Sequence, residues 1–221
     1  MTKQIQLADE NKNWINWRYY NPEYGVTHDF CNTPSATSYT LSITKPGLYC
    51  LTTCHDAKSS VAVFTTGNTI HSYEATTPTG YKIYAERIIY SSQGNDSLTL
   101  TSISTGNAAR FLITLIYIGT FSNIYNPQHA DLMYSTNSQT ANYNTANQFV
   151  HFVTVGSQKY EHTFLTNDIE PNHISIQDNY TSNAYSAAAL ISNSGGSVNC
   201  SGTPGVENNS GGLFFSSYVV E

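Results

Sequence analysis

Phe111-Leu112-Ile113-Thr114-Leu115-Ile116-Tyr117-Ile118 is nearly all apolar and predicts a central strand covered on both faces. A second strand answers it 101 residues later: Leu112 falls on Leu213 and Tyr117 on Tyr218. The same offset holds going backwards along the chain. Asn107 meets Asn208, Gly94 meets Gly195, Ser91 meets Ser192 and Tyr84 meets Tyr185. Thr65 meets Thr166, Lys58 meets Lys159 and Thr53 meets Thr154. Residues 48–120 and 149–221 therefore read as two copies of one domain. A period near 100 is too long for a solenoid, whose units lean on their neighbours. It fits tandem domains that each bury a core.

Charged residues make up 11% of the 221 positions, against roughly 25% in an average soluble domain. Ser, Thr, Asn and Tyr take their place. Thr and Tyr suit a pleated, half-buried surface, while Asn and Ser populate turns. The good helix formers are scarce. The expectation is an all-β chain of two tandem β-sandwich domains, jelly-roll or immunoglobulin-like, arising from an internal duplication. Predicted strands in the first copy are 39–44, 48–55, 61–65, 69–73, 82–90, 97–102 and 111–118. In the second they are 149–155, 162–167, 173–177, 184–192, 197–200 and 213–220. The expected organisation is an anchoring or assembly arm over 1–34, a first sandwich over 35–121, a linker over 122–147 and a second sandwich over 148–221. The arm reads as a short strand, a polar turn and an aromatic strand. The linker is polar with little periodicity, or a long connection with an edge strand.

Net charge is −6, from 15 acids and 9 bases, with no Lys/Arg cluster. That gives no electrostatic footprint for nucleic acid or anionic lipid. No run approaches the roughly 20 apolar positions of a membrane helix. Met1–Glu10 lacks the apolar core of a signal peptide, which predicts assembly in a cytoplasm. Cys50 and Cys54 lie two pleats apart on one strand, about 13 Å between Cα atoms, too far for a disulfide. Both are expected to be free thiols acting as small hydrophobes.

No catalytic constellation stands out. His28-Asp29 with nearby Cys31 lacks the accompanying signature of a nucleophile site and reads as a turn. Glycoside hydrolysis needs two facing acids. Among Glu74, Glu86, Glu161, Asp168 and Glu170, nothing sets a pair apart. The histidines, His28, His55, His71, His129, His151, His162 and His173, do not follow zinc spacing. Under the offset, His151 takes the place of Cys50, an ordinary strand position in both copies. The expectation is no catalytic site, no cofactor and no metal within the chain, with a metal on a trimer axis left open.

Binding is the better reading, because aromatic and amide side chains make sugar sites and paratopes. Tyr125, Tyr134, Tyr143, Tyr180 and Tyr185 are the candidate ligand or receptor contacts. Trp14, Trp17, Tyr19 and Tyr20 form an aromatic cluster suited to an assembly surface.

Lys3-Gln4-Ile5-Gln6-Leu7-Ala8-Asp9-Glu10-Asn11-Lys12-Asn13 resembles the opening of bacteriophage tail, baseplate and fibre proteins, a strand of the form K-x-I-x-L-x-D followed by a turn. The usual continuation has a Pro and a Thr. Trp14-Ile15-Asn16-Trp17 departs from it. Ile43-Thr44-Lys45-Pro46-Gly47-Leu48-Tyr49 is similar to the strand start of C1q/TNF-like jelly rolls and phage fibre head domains. The resemblance implies a bacteriophage virion structural protein: a head fibre, a capsid decoration or a receptor-binding tail fibre. It further implies a homotrimer, anchored to other virion proteins by its N-terminus and presenting sandwiches to a host surface glycan or protein. Assembly would take place in the host bacterial cytoplasm. The competing expectation is a carbohydrate-binding or adhesin module, monomeric and carrying its site in both copies.

Overall fold

The computed structural model of the chain describes residues 5–8, 14–19, 26–31, 39–55, 67–76, 82–100, 111–133, 138–143, 148–156, 160–165, 172–177, 184–192, 196–202 and 212–221. The chain is all-β, with no helix among the described residues. It divides into two compact units. One is split in sequence, Met1–Pro22 with Ile124–Glu221; the other is continuous, Glu23–Asn123.

The split unit begins with β1 (Ile5–Ala8) and β2 (Trp14–Tyr19). The continuous unit follows with β3 (Val26–Cys31), β4 (Tyr39–Ile43), β5 (Gly47–His55), β6 (Asn68–Thr76), β7 (Lys82–Ser91), β8 (Asp96–Leu100) and β9 (Phe111–Gly119). The split unit resumes with β10 (Ile124–Met133), β11 (Ser138–Tyr143), β12 (Gln148–Gly156) and β13 (Tyr160–Leu165). It ends with β14 (Asn172–Gln177), β15 (Ala184–Ser192), β16 (Gly196–Gly202) and β17 (Gly212–Val220). The predicted strand 61–65 lies outside the described residues.

In the continuous unit a five-stranded antiparallel sheet runs β3-β9-β5-β7-β6, and β4 pairs with β8 in a separate ribbon. Leu41, Ile43 and Leu98 of the ribbon form one core with Tyr49, Leu51, Ala85, Ile89, Leu115 and Tyr117 of the sheet. Each Leu or Ile among them contributes about 1.5–3 kcal/mol by leaving water. Thr114 to Ile118 are all buried, so β9 lies centrally between β3 and β5 with both faces covered.

The two tyrosines of this core also hold a turn. Tyr49 donates its hydroxyl to the Lys45 carbonyl at 2.8 Å and accepts from the Lys45 N–H at 3.1 Å. Tyr117 donates to the Pro46 carbonyl at 3.0 Å, with the Lys45 ammonium 5.3 Å from its ring centre. Two glycines make this end possible. Gly47, at φ +130°, approaches Gly119 so closely that a Cβ would stand 2.1 Å from the Gly119 carbonyl oxygen. Gly94, at φ +64°, has no room for a Cβ beneath the Lys45–Pro46 peptide.

The split unit contains a seven-stranded sheet, β1-β2-β14-β15-β12-β17-β10, and a three-stranded sheet, β11-β16-β13. Adding 101 to β5 gives the bounds of β12, and adding 101 to β9 gives those of β17. The strand orders β3-β9-β5-β7-β6 and β10-β17-β12-β15-β14 then run in parallel. So does one register: Cys50 pairs with Ile88, and His151 with Ala189. Two things differ. β1 and β2 extend the split unit beyond β14, with no counterpart beyond β6 among the described residues. And β9 sits one residue differently on β5 than β17 does on β12. Tyr117 pairs with Tyr49, whereas Tyr218 pairs with Phe149, the offset partner of Leu48. The β5–β9 pairing also carries a bulge between Leu48 and Tyr49, where the β12–β17 register runs unbroken.

β2 pairs with β14, and the split unit takes in Met1–Pro22. The 26–31 segment is strand β3 beside β9, not a turn. The 122–147 connection holds edge strand β10 as well as β11, which pairs with β16. In β10, Pro127 is tolerated because an edge strand need not donate on its open side. Asn126, at φ +49°, makes the bulge between Tyr125 and Gln128.

Candidate functional site

The continuous unit buries polar side chains on the sheet face turned away from its ribbon. Strand alternation puts Leu48, Cys50 and Thr52 there, with Tyr84, Glu86 and Ile88 of β7 and Thr114 of β9. Thr52 lies between Glu86 and Thr114, and the two threonine hydroxyls are hydrogen-bonded to each other. Glu86 is fully buried, which is costly for a carboxylate without partners. Tyr84 supplies one, donating its hydroxyl to Glu86 Oε2 at 2.5 Å. Tyr73 packs its ring 6.1 Å from that of Tyr84. The Cys50 thiol is held well above its ordinary range, first by burial, then by the charge of Glu86, then by a hydrogen bond to Glu86. On the opposite face Arg87 donates to the Glu86 carbonyl at 2.9 Å and to Glu74 Oε1 at 2.5 Å.

At the same step of its own sheet the split unit carries different chemistry. His151 of β12 pairs with Ser216 of β17, which pairs with His129 of β10, so the three share one face. His129 Nδ1 lies 3.0 Å from Ser216 Oγ, and the imidazole tautomer decides which atom donates. Aromatic rings enclose the row. Phe149 stacks parallel to His151 at 6.2 Å and to Tyr218 at 6.4 Å, while His129 meets Tyr218 edge-on at 5.6 Å. Across the sheet, Gln148 donates to Ser217 Oγ at 3.0 Å.

These rows join strands. A thiol becomes a nucleophile when its pKa falls, and Glu86 drives Cys50 the other way. A serine beside an imidazole is the beginning of a nucleophilic pair. Ser216 is wholly buried, so here the pair ties β10 to β17. Cys50 and Glu86 bring one sulfur and one oxygen together, two of the four ligands a structural zinc takes.

The residues singled out from sequence fall in several places. Trp14, Trp17 and Tyr19 lie on β2, where Trp17 is flanked by Ile5 of β1 and Ile174 of β14. Tyr125 is exposed near the start of β10. Tyr143 ends β11 opposite Gly196, and Tyr185 lies within β15 between Val155 and Ile176. β10 and β15 are separated by β17 and β12, and β11 belongs to the other sheet, so these three tyrosines do not gather on one pair of strands. Tyr20, Tyr134 and Tyr180 lie outside the described residues, as do Asp168 and Glu170. Of the acids weighed for catalysis, Glu74 is engaged with Arg87 and Glu86 with Tyr84; Glu161 lies on β13. His28 and Asp29 lie on β3. The His129–Ser216 contact carries no local sequence signal, because 87 residues separate the partners. No family model, curated protein or solved structure matches the chain.

Proposed function

We propose that this chain is a non-enzymatic component of a bacteriophage virion, a fibre or decoration protein built from a duplicated β-sandwich. It attaches to other virion proteins through its N-terminal region and presents the two units to a host-surface glycan or protein. One observation carries this reading: the same five-strand order occurs twice at a single offset of 101 residues. Repetition of one cored β-unit extends a projecting surface without a new fold. A polar exterior poor in charge resists non-specific capture by charged polymers. The buried Glu86 and Ser216 rows support the same reading, since their reactive groups are turned to joining strands. Attachment falls to β1 and β2, which carry Trp14 and Trp17 at one end of the seven-stranded sheet.

The solution mass of the purified chain, read by light scattering, tests this. A stable trimer near three times 24.3 kDa is the expected result. A monomer at all accessible concentrations removes the self-trimerising fibre and leaves decoration by docking to a capsid lattice or the carbohydrate-binding module.

A further inference from the structure

We draw no further inference here: the strongest candidate, the outer edge of the five-stranded sheet along β6, whose counterpart β14 takes up β2 in the split unit, carries nothing because nothing among the described residues shows what covers it.

Discussion

The strands carrying Cys50 and His151 occupy the same step of two sheets with the same strand order, yet their neighbours within each sheet differ. Cys50 sits in a unit that buries a carboxylate, Glu86, and satisfies it with a phenol and a thiol. His151 sits beside a serine and a second imidazole, in a layer of aromatic rings. The backbone plan is repeated and the polar interior is not. Alternating apolar residues and a few turn glycines suffice to place the strands, whereas a buried polar group must be answered by its own neighbours.

The comparison can be broken most forcefully at its apolar level. Leu48 and Phe149 are offset partners and both fully buried. Phe149→Ala should cost about 4 kcal/mol and Leu48→Ala about 3 kcal/mol in urea unfolding. A loss below about 0.5 kcal/mol at either site would show that the two positions are not equivalent core sites.

The polar level comes next. Glu86→Ala strips the Tyr84 hydroxyl and the Cys50 thiol of their acceptor and should cost about 2–3 kcal/mol. Ser216→Ala removes only a neutral hydrogen bond to His129 and should cost about 1 kcal/mol. Equal losses would erase the distinction between an interior built on a carboxyl group and one built on a hydroxyl.

A smaller effect separates the continuous unit by pH. Burial raises the pKa of Cys50, with Glu86 adding to it. Burial likewise raises Tyr117, and raises Tyr49 against the opposing backbone hydrogen bond to Lys45. All three are acids whose folded pKa exceeds the unfolded one. Their contribution is therefore complete below the unfolded values, about 8.5 for the thiol and about 10 for the phenols. It is lost as pH rises through the folded values. Denaturant midpoints should hold steady from neutral pH to about 8.5 and then decline. Cys50→Ala should remove the earliest part of that decline. A Cys50→Ala curve parallel to the parent between about pH 8.5 and 10 would contradict the assignment.

The smallest change is expected at Tyr125. It is exposed on an edge strand, and Tyr125→Ala should move stability by no more than about 0.5 kcal/mol. A larger loss would mean that β10 depends on this ring.

These contrasts also show what the amino-acid order discloses. Ala184–Ser192 and the apolar 111–118 run were legible because a run of small or apolar residues bounded by polar turns leaves few other choices. The offset of 101 was legible because Ser91, Gly94 and Tyr117 recur at fixed intervals. β3 was not, and β10 was legible only as one of two readings of 122–147. Val26–Cys31 alternates weakly around His28-Asp29, and β10 contains Asn126-Pro127. Both are edge strands held mainly by one neighbour, so their own composition says little. The buried site was hidden for another reason. Glu86 meets Thr52, and Ser216 meets His129, only once strand register is known.

The single-residue difference between the Tyr49–Tyr117 and Phe149–Tyr218 pairings has a consequence for how such a chain avoids error. Two like-ordered sheets made on one polypeptide invite exchange, one strand lodging in the wrong sheet during folding. If β9 took the place of β17 on β12, it would sit one residue out of step with that strand's register. Tyr117 and its neighbours would then present the wrong faces. The displaced residue acts as a key cut differently for each lock, so that each strand returns to its own sheet.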